Sequence, residues 1–265
     1  MFEAFILGSI QGITEWLPVS SEGVLVLVKS NFFPSDAGLE ELIRQSFFLH
    51  LGTFFAALLY FRKEVVRIVY SFFNYRKAKT EDQMLIQFLL LSTLISGLLG
   101  MILLYLIGEI DALIDMRSQL INLFVGLLLL ITAFIQLRAP TRGQKNFSDL
   151  TLKDGWILGI AQGLSALPGF SRSGLTVSML LLRNYDKEAA LRLSFLMSLP
   201  IVLGANIILN AEQMISLNGA SLIGIASSFV FGIITIGLLI KLARNINFGL
   251  FVLFFGLLTI VSAFL

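Results

Sequence analysis

Two short polar runs interrupt otherwise apolar sequence, and both carry the parts of a site that handles phosphate. The first holds Gln11, Glu15, Ser20, Ser21 and Glu22, and the second holds Ser171, Arg172, Ser173 and Thr176. A guanidinium grips a phosphate through two parallel N–H bonds, and the flanking hydroxyls add donors. A helix expected to begin near Ser173 would aim its N-terminal N–H groups at the same anion, with Thr176 one turn along. Glu15 follows Gln11 by one helical turn, so both face one way: a carboxylate suited to a general base or a metal ion, and a neutral amide. Ser20 and Ser21 have the chemistry of a nucleophile or of a phosphate donor.

Each assignment has a plainer rival. Arg172 could pair with Glu15 or Glu22 as a buried salt bridge that only joins two parts of the chain, and Glu15 could cap loop backbone. Hydroxyls at helix starts are ordinary caps, which leaves Ser20 and Ser21 open between the two roles. His50, the one histidine, sits in an apolar run near the end of a span. There an imidazole is more often a packing residue than a catalyst, and it is held in reserve. Arg62, Lys63 and Arg67 read as an interfacial helix against anionic lipid. Chemistry is favoured at the two polar runs because a charge at membrane depth costs roughly 2.5–3.5 kcal/mol and needs a reason to be there.

The elements that must position these residues are membrane helices. With 57% hydrophobic and 14% charged residues, the chain is too apolar for a solvated globular domain. Six stretches, 47–61, 84–107, 120–137, 193–209, 222–240 and 248–265, approach the roughly 20 residues needed to cross a bilayer. The first residues carry no basic region and no small-residue cleavage site, so they are expected to belong to the mature structure. With no cysteine, disulfides, thiolate nucleophiles and Cys-ligated zinc are excluded, and a single histidine excludes a two-His metal helix. A net charge of +2, with the basic residues in loops, excludes nucleic acid as a partner.

The chain also repeats itself. Ile6-Leu7-Gly8, Gln11-Gly12, Pro18, Ser20 and Gly23 recur in order as Ile157-Leu158-Gly159, Gln162-Gly163, Pro168, Ser171 and Gly174. Lys and Arg mark cytoplasmic loops at 62–79 and 138–153, the second including Arg142. The acidic residues Asp36, Glu40, Glu41, Glu109, Asp111 and Asp115 mark the outside. Three crossings in the first unit start the second from the opposite face, which is an inverted-topology repeat. Segments 1–32 and 154–183 are apolar but broken by Pro18 and by Pro168-Gly169, leaving halves too short to span, so each is expected to be a re-entrant hairpin with its tip buried against the other. A single kinked crossing is the alternative.

The run from Gln11 to Ser21, Gln-Gly-Ile-Thr-Glu-Trp-Leu-Pro-Val-Ser-Ser, and the run from Pro168 to Gly174, Pro-Gly-Phe-Ser-Arg-Ser-Gly, resemble the two signature motifs of the undecaprenyl-diphosphate phosphatase family associated with bacitracin resistance. The resemblance covers essentially the whole chain. It implies an interlocked inverted-repeat fold, a site opening toward the outer face, and hydrolysis of a polyprenyl diphosphate to the monophosphate for lipid-carrier recycling. It also implies an essential carboxylate at Glu15, contacts from Ser21 and Arg172 to the diphosphate, and Ser173 and Thr176 as the rest of the second motif. Two positions depart from the pattern. Gln11 stands where an acidic residue is common, and Val24 stands where the family usually has a histidine. Valine can neither shuttle a proton nor attack phosphorus; Glu22 could supply the lost acid–base function, or the site could bind without cleaving.

The expected protein is therefore an all-α integral membrane protein of one domain over 1–265. Repeat units of approximately 1–138 and 154–265 make an inverted-topology repeat with about six transmembrane helices and two re-entrant hairpins. It is expected in the plasma membrane, among membrane lipids, as a polyprenyl-diphosphate phosphatase. Glu15, Ser21 and Arg172 are its catalytic residues, with Gln11, Ser20, Glu22, Ser171, Ser173 and Thr176 around the substrate. A divalent cation, magnesium or calcium, bridging Glu15 and the diphosphate is compatible with the sequence, as is a homodimer. The alternative is a transporter or flippase that moves polyprenyl phosphates without hydrolysis.

Overall fold

The computed structural model describes residues 1–33, 38–114, 118–140, 143–242 and 248–264. Asp36, Asp115 and Arg142, used above to assign faces, lie outside these residues. The helices in order are α1 (Phe2–Thr14), α2 (Ser21–Phe32), α3 (Leu39–Tyr60), α4 (Arg62–Phe73), α5 (Thr80–Ile114) and α6 (Ser118–Arg138), then α7 (Leu152–Leu164), α8 (Arg172–Leu182), α9 (Lys187–Leu209), α10 (Ala211–Ile215), α11 (Gly219–Leu242) and α12 (Phe248–Ser262). No strand occurs among the described residues. Backbone polar groups at membrane depth must be satisfied within the segment, and helices do this.

Among the described residues, five helices are long and apolar enough to cross a membrane: Leu39–Tyr60, Thr80–Ile110, Gln119–Arg138, Lys187–Leu209 and Gly219–Ile240. The sixth expected span corresponds to α12, which has 15 residues. The chain is a multi-pass membrane protein. Helix α4 carries Arg62, Lys63 and Arg67 beside exposed Val66, Val69, Tyr70 and Phe73.

Helices α1 and α2, of 13 and 12 residues, and α7 and α8, of 13 and 11, are each too short to span. Each pair doubles back. Glu3 at the start of α1 is ion-paired with Lys29 near the end of α2, and Asp154 at the start of α7 with Arg183 just past α8. The two hairpins dock against different helices. Helix α1 runs along α11, where Gly8 meets Gly224 and Gly12 meets Ser228, and α11 packs in turn on α3, where Gly52 meets Ile225. Helix α7 instead climbs α5 from its Thr80 end, with Gly155 against Leu91, Gly159 against Ile95 and Gly163 against Leu99. Side chains that small let helix backbones approach closely.

The caps fix where each returning arm starts. Ser20 Oγ accepts from Gly23 N at 3.0 Å and begins α2; Ser171 Oγ accepts from Gly174 N at 3.0 Å and begins α8. At the second tip Gly169 has φ +108°, a conformation that disfavours any β-carbon. Two buried apolar clusters flank the tips. One contains Trp16, Phe61, Phe88 and Phe195, with the Trp16 indole N–H donating to the Gly232 carbonyl at 3.0 Å. The other contains Val19, Ile43, Val125 and Leu129.

Candidate active site

The two tips reach past one another and are stitched together by hydrogen bonds. Gly169 N donates to Ser20 Oγ at 2.9 Å, Ser173 Oγ to the Leu17 carbonyl at 2.8 Å, and Thr132 Oγ1 of α6 to the Gly169 carbonyl at 3.2 Å. A hydroxyl of one tip thus holds the backbone of the other. The N-termini of α2 and α8 converge as a result, each bringing first-turn N–H groups that lack helical partners.

Glu15 lies at the junction and is buried. Its Oε1 is ion-paired with Arg172. Its Oε2 accepts from Ser21 Oγ at 2.8 Å and from Gln11 Nε2 at 2.8 Å, and lies 3.0 Å from His50 Nε2. His50 is fixed on its other side, where Nδ1 lies 2.8 Å from the Ser46 carbonyl. A carbonyl only accepts, so Nδ1 carries a hydrogen, and Nε2 is the atom that exchanges a proton. Two acceptor atoms 3.0 Å apart, Nε2 and Oε2, require a hydrogen between them. Glu22 Oε1 lies 3.9 Å from the same Nε2, and Glu22 Oε2 is buried with no protein partner. Arg172 also donates to the Ser194 carbonyl of α9 at 3.3 Å.

These groups open on a cavity of about 370 Å³ lined at its polar end by Glu15, Ser20, Ser21, Glu22, His50, Arg172 and Ser173. Three residues expected at the substrate stand behind that wall. Gln11 is fully buried and reaches the site only through Glu15. Ser171 is the α8 cap. Thr176 Oγ1 donates to the Arg172 carbonyl at 2.7 Å and lies 2.7 Å from Ser194 Oγ, which turns it into the packing between α8 and α9. They brace the groups that line the cavity.

The pairing of Arg172 with Glu15, weighed above as glue, is present, yet both residues line the cavity. His50 was the reserve candidate read as packing, and it is in contact with the carboxylate at the centre. The signal that could have promoted it is an ionisable side chain inside an apolar span, which is a functional residue by default. Beyond the tips the wall also includes Thr93 and Ser96 of α5 and Gln162 of α7. Gln162 Nε2 donates to Ser96 Oγ at 3.0 Å, while Gln162 Oε1 and Thr93 Oγ1 are buried without protein partners.

No cluster of three or more His, Cys, Asp or Glu side chains arranged for a metal occurs among the described residues. Both Glu15 oxygens are taken by donors, two of them on Arg172 and His50. In the cavity wall, Glu22 Oε2 is a carboxylate oxygen left for a cation.

Residues 4–261 match the family described as Bacitracin resistance protein BacA. The chain is 39% identical over 266 residues to a protein named undecaprenyl-diphosphatase from Methanococcoides burtonii, covering 99% of this chain and 98% of that one. Proteins of the same name from Methanothrix thermoacetophila and Geotalea daltonii are 36% and 35% identical over 264 and 255 residues. Those alignments cover 97% and 92% of this chain, and 95% and 90% of the relatives.

Proposed function

The chain belongs to the bacitracin resistance protein BacA family, and from that premise we propose that it hydrolyses a polyprenyl diphosphate of the undecaprenyl type to the monophosphate and inorganic phosphate. The observation that carries the reading is the meeting of the two tips beside α3, which sets a hydroxyl, a carboxylate and a guanidinium from the tips and an imidazole from α3 around one cavity.

Arg172 holds the diphosphate. A guanidinium has more N–H donors than Glu15 and the Ser194 carbonyl use, and the rest serve phosphate oxygens. The N-termini of α2 and α8 add positive potential from both tips. Ser21 is the nucleophile. Its Oγ attacks the terminal phosphorus while its proton passes to Glu15 Oε2, and the bond to the bridging oxygen breaks, so that the polyprenyl monophosphate leaves with the electron pair. Water then attacks the phosphoserine; Glu15 returns its proton to the leaving Ser21 Oγ and takes up the proton the water loses, which then passes to solvent, and inorganic phosphate is released with the hydroxyl and the carboxylate restored. His50 carries the shared hydrogen on Nε2, which keeps Glu15 oriented and ionised until it takes the Ser21 proton. A divalent cation arriving with the diphosphate would find Glu22 Oε2, the diphosphate oxygens and water as ligands; it would neutralise phosphate charge.

The cavity opens to the outer face in this reading. Arg62, Lys63, Arg67, Arg76, Lys77 and Lys79 cluster between the end of α3 and the start of α5, which the positive-inside rule assigns to the cytoplasm. From the tips the cavity runs toward Leu104 and Leu209, at the opposite ends of α5 and α9. The membrane is the plasma membrane, where the used carrier is exposed.

The test is phosphate release from undecaprenyl diphosphate by the purified protein in detergent, beside Ser21→Ala, Glu15→Gln and Arg172→Ala. Each substitution is expected to abolish release, and Ser21→Ala to abolish any labelled phosphoenzyme trapped by acid quench. A wild type that binds the lipid and releases nothing refutes the reading.

A further inference from the structure

We propose that the gap between α5 and α9 is the slot for the isoprenoid chain of the substrate, and that Gly97, Gly100 and Gly204 are the positions that keep it open. The inference rests on the phosphatase reading and adds where the tail lies and which residues select it.

Most glycines in this molecule are explained by close packing. A β-carbon on Gly12 would come within 2.6 Å of the Ser228 carbonyl oxygen, and one on Gly159 or Gly163 within 2.8 Å of Ile95 or Leu99. Gly97, Gly100 and Gly204 have no such neighbour. At Gly97 the nearest atom is Ile201 Cδ1 at 3.6 Å, at Gly100 it is Ala166 Cβ at 3.5 Å, and at Gly204 nothing lies within 4 Å. Glycine weakens a helix interior, and here that weakness is not offset by packing. All three line the cavity whose polar end is Glu15, Ser21 and Arg172. Gly97 and Gly100 are one turn apart on α5, and Gly204 is on α9.

The walls beyond them are apolar and continuous with the lipid-facing surface. Leu94, Leu98 and Ile208 line the cavity, yet are 61%, 58% and 61% exposed. A cavity whose apolar wall merges with the surrounding bilayer suits a ligand with a charged head and a hydrocarbon tail. Its volume of about 370 Å³ lies at the small end of ligand sites, enough for the diphosphate and the first isoprene units, so the remaining tail stays in lipid.

The experiment compares undecaprenyl diphosphate with dimethylallyl diphosphate, which has one isoprene unit, on wild type, Gly204→Ala and Gly204→Leu. Gly204→Leu is expected to lower kcat/KM for the long chain by ~10-fold or more and to leave the short one unchanged, with Gly204→Ala between. Equal loss on both substrates, or loss on neither, overturns the slot. If the wild type releases phosphate from neither diphosphate, the phosphatase reading fails and the slot falls with it. A second readout needs no turnover: a prenyl phosphate bearing a photoreactive group on its second isoprene unit is expected to label peptides containing residues 94–104 and 201–208. Labelling confined to other helices overturns the proposal.

Discussion

His50→Ala tests the centre of the site most directly. The substitution removes the ring whose Nε2 lies 3.0 Å from Glu15 Oε2, leaving Arg172, Ser21 and Gln11 as the partners of that carboxylate. A hydrogen bond to a charged group contributes about 1.5–3 kcal/mol, which at about 1.4 kcal/mol per decade is roughly 10- to 150-fold in rate. Acid–base assistance alone is worth about 10²–10⁴-fold, so kcat is expected to fall by about 10². KM stays within about threefold, because Arg172 and the helix N-termini still hold the phosphates. The assay is steady-state phosphate release over a series of pH values, with a thermal-inactivation curve to separate damage to the fold. His50→Gln can place an amide N–H near the same oxygen, so it is expected to recover part of kcat but not the wild-type pH profile. If His50→Ala keeps kcat within about threefold of wild type at every pH, the imidazole is packing, and the assigned role is wrong.

Gly169→Ala should damage fold and activity together. At φ +108° the new β-carbon would lie 2.6 Å from the Val125 carbonyl oxygen and 2.8 Å from Leu128 Cβ, a strain of about 1–3 kcal/mol before the backbone moves. The inactivation midpoint falls, and kcat falls with it because Arg172 begins the helix just beyond that turn. Asp154→Asn should instead separate stability from chemistry. Asp154 is buried at the open end of the second hairpin, ion-paired with Arg183, and its Oδ2 accepts from Thr151 N at 2.9 Å and Tyr185 Oη at 3.0 Å. Burial, and then the Asp154 charge, push the Tyr185 hydroxyl above its ordinary range, so it remains a donor. Removing one partner of a buried pair costs about 3 kcal/mol, and turnover per folded molecule should stay within about twofold of wild type.

The sequence carried the tips because Pro18, Pro168 and Gly169 break apolar runs at related places, and a broken helix at membrane depth has few options. It carried Glu15, Ser21 and Arg172 as well, since charges there stand out against their surroundings. Which way a hydroxyl turns within a tip was beyond it. Thr176 and Ser173 are on the same first turns of α8, yet Ser173 lines the cavity and Thr176 binds Ser194. That difference is set by the rotation of α8 against α9, a tertiary quantity with no local signature. The glycines were opaque for the same reason: Gly163 and Gly204 read alike in sequence, and only their neighbours show that one packs and the other does not.

In the proposed mechanism the imidazole comes from an element outside the two tips. Val24, in the first tip, does not line the cavity. In that mechanism Glu15 needs a partner that can exchange a proton with it, because Arg172 holds its own protons too tightly for that task. Helix α3 passes beside the tip, and His50 lies one turn after Ser46, whose carbonyl fixes the ring. A hairpin tip is held only by its turns and cross-contacts, whereas α3 is a full span braced along α11 and α9. An imidazole mounted on α3 is therefore held in place without help from the tip, while Ser21 and Arg172 move with theirs. Substrate entry that shifts the tips would change the Ser21 and Arg172 distances to Glu15 while His50 stays fixed to Ser46. It follows that Gly169→Ala, which strains a tip, and His50→Ala, which does not, should differ in kind: the first raises KM and lowers kcat together, and the second lowers kcat alone.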